Sequence, residues 1–228
     1  MFVRRTRGGD LAADRELTTR LVDRVRESGE SGLRVWTPPA HVSFGRRDAN
    51  ADGFEDAVDR AEELGFQTTV RQSGGRAVAF TEGTLAVALV SPTTSAGDRT
   101  VNDGGRSGIG DRYATALDAL QRAIRQCGVD AERGEPPNSF CPGSHSLQVD
   151  GRKVVGLAQR VRNDVALLAG VVIVHDEGGV ASVLAPVYDA LDVPFDEETV
   201  GSLAAAGGVS EASHVADAVV GAVRGGDQ

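Results

Sequence analysis

The longest apolar run in the chain is Val165 to Val174, ten residues built from Val, Leu, Ala, Ile and one Gly. That is the length of a buried strand, far short of the roughly 18 apolar residues that suggest a membrane span. The other apolar residues come in shorter stretches cut by Gly, Pro and polar clusters. A chain patterned this way folds as short strands and amphipathic helices around a core. With 40% hydrophobic residues it has enough apolar material for that core, more than a disordered chain carries. Its 228 residues suit one domain, at most with a small appendage. We expect a single catalytic domain over 1–228, with short helices from about residue 190.

Helical spacing of Leu11, Leu17, Leu21, Val22 and Val25 predicts a helix over 10–29, ended by Gly29 and Gly32. Strands follow at 33–36 and 41–45, separated by Pro38-Pro39. A second helix covers 52–65, with Gly65 as its C-terminal stop. Strands at 67–71 and 77–80 flank Ser73-Gly74-Gly75, and a third covers 85–90. The stretch 93–110 is rich in Gly, Ser, Thr and Asp and reads as a long loop. Its role is open between closing over a ligand and docking a partner. Tyr113, Leu117, Leu120 and Ile124 mark a helix over 111–126. Residues 131–144 carry three prolines and read as irregular. Two or three strands fill 147–174, with turns at Gly151 and Asn163-Asp164. Short helices are expected near 197–206 and 211–224. This order lacks regular strand–helix alternation, which predicts α+β with a mixed, largely antiparallel sheet and flanking helices.

Charge narrows the function. The chain has 33 acidic and 24 basic residues, a net charge of −9, and Lys153 is its only lysine. Excess carboxylate with arginine in place of lysine reads as a halophilic, cytoplasmic surface, where salt screens self-repulsion. It disfavours nucleic-acid binding by bulk charge. No apolar stretch follows Met1-Phe2-Val3-Arg4-Arg5, so no signal peptide and no membrane partner are expected. Two cysteines, Cys127 and Cys141, cannot make a disulfide framework. The four histidines are scattered without metal-ligand spacing, so no metal site is expected.

Three segments could carry chemistry. Arg71-Gln72-Ser73-Gly74-Gly75-Arg76-Ala77-Val78 is either a hairpin loop or a place where backbone N–H groups meet a ligand. Ser139-Phe140-Cys141-Pro142-Gly143 puts a cysteine on a turn, either as a half-buried apolar residue or as a thiol awaiting a nearby cation. Gly151-Arg152-Lys153-Val154-Val155-Gly156, followed by Ala158-Gln159-Arg160, holds the lone lysine. A compact ammonium there does what a planar guanidinium cannot, unless the placement is chance. Cys127 reads as a core residue. His145, four residues after Cys141, reads as a structural histidine or a base.

Taken in order, these segments resemble the biotin/lipoate protein ligase and lipoate-transferase superfamily. The Arg71–Val78 segment with Glu82-Gly83-Thr84-Leu85 is similar to its glycine-rich acyl-binding segment, and Gly151–Arg160 to its lysine motif. The Cys-Pro-Gly element looks most like the octanoyl-[glycine cleavage H protein]:protein octanoyltransferases. Thr84 and Ala86 stand where ATP-dependent ligases often have asparagines. The resemblance implies a ligase-like α+β fold, with Cys141 and Lys153 catalytic. It implies acyl contacts at Arg71, Ser73, Gly74, Gly75, Arg76, Ala77, Gly156 and Ala158. Cys141 would take an octanoyl or lipoyl group as a thioester from a carrier lysine and pass it to a second lysine. Lys153 would favour the thiolate and serve as acid and base, and backbone N–H groups near Gly75–Ala77 and Gly156 would face the oxyanion. The implied partners are an acyl-carrying H protein and lipoyl domains of 2-oxoacid dehydrogenase complexes. No cofactor is needed for transfer; ATP and Mg enter only in the alternative, a lipoate or octanoate ligase acting through an acyl-adenylate. A non-catalytic ligase subunit is the third reading.

Overall fold

The computed structural model describes residues 1–93, 108–162 and 164–225. Two sheets organise the chain. The larger has seven strands in the order β1-β2-β6-β10-β9-β8-β7. These are β1 Phe2–Arg4, β2 Gly32–Trp36, β6 Thr84–Pro92, β7 Glu132–Arg133, β8 Ser146–Val149, β9 Arg152–Val161 and β10 Val165–Ile173. All neighbours are antiparallel except β1 and β2. The smaller sheet, β4-β3-β5, joins β3 His41–Phe44 to β4 Gln67–Val70 in parallel and to β5 Val78–Phe80 antiparallel. The α+β class with a mixed sheet is as the sequence predicts.

Alternation along the strands divides the large sheet into two faces. Leu33 and Val35 of β2, Leu85 and Val87 of β6 and Val172 of β10 point to a core completed by two helices, α3 Gly108–Gln126 and α5 Ala212–Gly225. Cys127 is buried in that core, as expected. The opposite face carries Trp36, Ala86, Val171 and Gly156 in one row across the register, and Arg34, Ala88, Ala169 and Ala158 in the next. Helix α1, Leu11–Ser28, lies on this face, its Leu21 and Val25 packed on Val90 and Val165. Asp10 caps it, its carboxylate accepting from the N–H of Ala13, and Gly29 closes it in the left-handed region. A second core joins the small sheet to α2 Phe54–Glu63 and α4 Glu177–Ala190.

Several elements differ from expectation. Helix α4 occupies residues the sequence reading leaves without structure. Gly178, Gly179 and Pro186 argue against a helix locally, but burial of Val180, Val183, Leu184, Val187 and Tyr188 outweighs that propensity. The helix expected over 197–206 is a single 3-10 turn, Glu197–Thr199. Helix α3 begins at Gly108, and β7 interrupts the irregular 131–144 segment. Most of the expected 93–110 loop lies outside the described residues, as does Asn163 of the predicted β9–β10 turn. No described helix is long and apolar enough to cross a membrane.

Candidate active site

A cavity of about 410 Å³ lies between α1, the face of the large sheet that α1 covers, and the small sheet. Its size is within the usual range of small-ligand sites. Cys141, Phe140 and Gly143 line it beside the start of β9; Val78, Phe80, Ala86, Ala169, Val171 and Trp36 give it an apolar flank. Of the predicted acyl contacts, Arg71, Ser73, Gly156 and Ala158 line this cavity. Arg76 is turned to the buried Asp48 carboxylate at 3.1 Å, and Ala77 is buried in the second core. Gly74 and Gly75 form the bend between them; only Gly75 approaches the thiol.

The thiol rests against the glycine loop. A Cβ on Gly75 would sit 2.5 Å from Cys141 Sγ and 2.9 Å from Arg71 Nη2, and Gly75 has φ +92°. No other residue type fits there without moving the sulfur. Cys141 itself has φ +44°, in the left-handed region that costs a side-chain-bearing residue about 1–2 kcal/mol. Two neighbours hold it there. The Tyr188 hydroxyl accepts the Cys141 N–H and donates to Ala77 O at 3.0 Å. The Lys153 ammonium donates to Phe140 O at 2.9 Å and to Cys141 O at 3.1 Å.

Lys153 is only 1% exposed. Its counter-ion is Glu135, with Oε1 at 3.0 Å and Oε2 at 3.1 Å. The same carboxylate accepts from the hydroxyls of Ser139 and Ser146. Burial pulls the Lys153 ammonium below its ordinary value, against the opposing pull of Glu135 and Cys141. Gly156 stands between it and the cavity: a Cβ there would be 3.1 Å from Lys153 Cε and 3.6 Å from Nζ. A side chain at 156 would therefore crowd the ammonium.

The structure brings Lys153 to the backbone of Cys141, and Arg71 to its sulfur. Arg71 Nη2 donates to Cys141 Sγ at 3.5 Å. Bonds to the carbonyls of Ser43, Gly74 and Arg76 fix that guanidinium. The sulfur thus has a guanidinium donor against it. His145 stacks on Tyr113 with ring centroids 3.5 Å apart, and burial lowers its ring below the usual histidine value. Among the described residues, no group of His, Cys, Asp and Glu could hold a metal ion.

Sequence reading missed Glu135 and Tyr188. Glu135 lies in a Pro-Pro stretch, and Tyr188 on the helix that glycine and proline conceal. A single buried lysine demands a carboxylate somewhere, but nothing local says which one.

The far side of the cavity is built on a buried ion pair. Arg34, 0% exposed, donates to the Asp14 carboxylate at 2.6 Å, to Asp14 O at 2.7 Å and to Thr6 O at 2.8 Å. The other Asp14 oxygen accepts from Trp36 Nε1 at 2.8 Å, and the guanidinium lies over the indole at 3.7 Å. Trp36 is thus fixed as a wall of the cavity.

Residues 10–203 match the family model of the lipoyl protein ligase A/B catalytic domain. The octanoyl-[GcvH]:protein N-octanoyltransferase of Exiguobacterium sibiricum is 32% identical over 138 residues, 60% of this chain and 47% of that protein. The lipoyl-[GcvH]:protein N-lipoyltransferase of Listeria monocytogenes is 28% identical over 130 residues, 57% and 44% of the two. The chain spans about half the length of the curated relatives it matches. Among solved structures, a lipoate-protein ligase A bound with ATP aligns with TM-score 0.75 at 18% identity, covering 99% of this chain and 84% of that one. A chain from the bipartite lipoate protein ligase and E2 lipoyl domain study of Thermoplasma acidophilum aligns with TM-score 0.69 at 17% identity, covering 99% and 82%. The fold is that of the lipoate-protein ligases.

Proposed function

Since this chain belongs to the lipoyl protein ligase A/B catalytic-domain family, we propose that it is a cysteine acyltransferase of protein lipoylation. It moves an octanoyl or lipoyl group from the lysine of one carrier to the lysine of another. The relatives named as GcvH-dependent transferases support this reading and suggest an H protein and lipoyl domains as the carriers. The observation that carries it is the thiol of Cys141, set in a left-handed turn at the cavity wall with Arg71 Nη2 3.5 Å from its sulfur.

In the first half-reaction the Cys141 thiolate attacks the amide carbonyl of the acylated lysine. The C–N bond breaks and the departing amine takes a proton, which Lys153 supplies. In the second, the neutral amine of the incoming lysine attacks the thioester. The C–S bond breaks, the thiolate returns, and Lys153 recovers a proton from the new amide nitrogen. Burial lowers the Lys153 ammonium below its ordinary value, the direction that makes its proton easier to give up. An amide is broken and an amide is formed, so the exchange needs no nucleotide. The apolar flank would bury the acyl chain at about 0.8 kcal/mol per CH₂. We read residues 1–228 as one catalytic unit, and the acid-rich, lysine-poor surface as that of a cytoplasmic protein in a salty medium.

Incubation with an octanoylated carrier is expected to add one octanoyl mass to the protein, mapped to Cys141. Cys141→Ala should take up none and transfer nothing. An alanine variant that transfers as well as the native chain overturns the proposal, and pyrophosphate exchange dependent on free lipoate would favour the ligase reading.

A further inference from the structure

Arginines ring the cavity mouth in a chain whose net charge is −9. Arg15 of α1, with Arg160 and Arg162 of and just beyond β9, lines the opening, and Arg46 follows β3. Arg15, Arg46 and Arg162 are exposed and Arg160 is half-buried. Two of the four use one donor on a neutral neighbour: Arg15 on Thr69 Oγ1 at 2.6 Å, and Arg46 on Gln72 Oε1 at 3.2 Å. None of the four is in an ion pair among the described residues. Three carboxylates at this end are already engaged: Asp23 and Asp164 with Arg26, and Asp14 with Arg34. Arg162 feels Asp164 only at a distance, as the weakest influence on that carboxylate. The guanidiniums instead face one another. Arg160 is held below its usual value by partial desolvation and then by the like charges of Arg162 and Arg46. Among the described residues these four arginines have no carboxylate partner, and an external anion would relieve the repulsion between them.

The spacing says what kind of anion. Arg160 and Arg162 alternate with the exposed Val161 along one strand, so they are about 7 Å apart. Arg15 and Arg46 stand on two other elements. Three line the opening and Arg46 stands near enough to Arg160 to repel it, on separate parts of the chain, so they match carboxylates spread over a protein surface better than one phosphate. Gly156, next to the reactive centre, is four residues along β9 from Arg160, about 13 Å. A partner seated on the rim could reach the thiol with a long side chain.

We propose that Arg15, Arg46, Arg160 and Arg162 form the docking surface for a folded acidic carrier domain, whose carboxylates flank the lysine that enters the cavity. The inference rests on the transfer reading above and adds the surface and charge of the partner. Fork-shaped guanidiniums suit this work in salt, because short bidentate contacts survive ionic strengths at which longer-range steering by net charge is screened.

The test measures binding separately from chemistry. Calorimetric titration of the full chain with an unmodified lipoyl domain of negative net charge gives Kd for docking. Arg160→Gln/Arg162→Gln is expected to weaken it at least tenfold, and Arg160→Lys/Arg162→Lys to lose less. Acylation of Cys141 by a small octanoyl thioester should change less than twofold in both variants, and unchanged melting will confirm their fold. Docking is overturned if Kd stays within twofold, if the small thioester loses as much as the carrier, or if inorganic phosphate or ATP at low concentration competes the carrier off. If Cys141 never forms a thioester while the double variant still loses the carrier, the docking surface stands and the transfer reading falls. A thioester that forms normally beside an unaffected Kd sinks docking alone.

Discussion

At the scale of single residues, the candidate site depends on two missing side chains as much as on the groups present. Gly75 lets the thiol lie against the glycine loop, and Gly156 leaves room for the Lys153 side chain beside β9. Gly75→Ala must relieve a 2.5 Å contact with Cys141 Sγ and adopt φ +92°. Displacing the sulfur by about 1 Å is expected to slow thioester formation on the order of 100-fold, with a stability loss of about 1–2 kcal/mol from the left-handed backbone. A rate within threefold of the native chain would show that the sulfur does not need this seat. Both glycines, both arginine-flanked segments and the Cys141–Lys153 pair were legible in the sequence as candidates. Their division of labour was not: which cation meets the sulfur and which the backbone depends on side-chain directions that only packing sets.

At the scale of elements, α4 and α1 support the two sides of the cavity. Tyr188 ties α4 to the Cys141 turn and to β5. Tyr188→Phe keeps the ring in the core but leaves the Cys141 N–H and Ala77 O unpaired. We expect a loss of about 1–3 kcal/mol in stability, read from urea unfolding, with a slower acylation rate because the strained turn loses a brace. On the other side, α1 is held to β2 by the buried Asp14–Arg34 pair. Asp14→Ala strands a guanidinium that is 0% exposed, at an expected cost of about 3–5 kcal/mol. Asp14→Leu/Arg34→Met, which removes both charges, should cost much less; equal losses would mean the pair acts through packing alone. Amphipathic spacing gives α1 away in the sequence. It hides α4, whose residues are apolar on most sides and interrupted by Gly178, Gly179 and Pro186.

At the scale of the whole molecule, burial of histidine predicts acid sensitivity. His41 stacks on Phe80, donates from Nδ1 to Pro39 O at 2.7 Å, and is pushed below its ordinary value of 6.5 by desolvation. The folded ring stays neutral where the unfolded one takes a proton. Its contribution to stability is therefore complete above about pH 6.5 and is lost as pH falls toward the folded value. Unfolding free energy should drop between pH 7.5 and 5.5, and by less in His41→Gln; the same drop in both would assign the effect elsewhere. The sequence by itself determined the α+β class, most strands, the first three helices and the order of the three motif segments. Those rest on local periodicity, on glycine and proline stops, and on residue chemistry that is the same in any fold. Tertiary structure alone decided that α4 is helical, that Glu135 is the partner of Lys153, that Trp36 walls the cavity and that Arg15 reaches the same opening as Arg160 and Arg162. Each of these joins residues far apart in the chain, and the free energy that fixes them comes from burial and charge pairing across the fold, which no local pattern records.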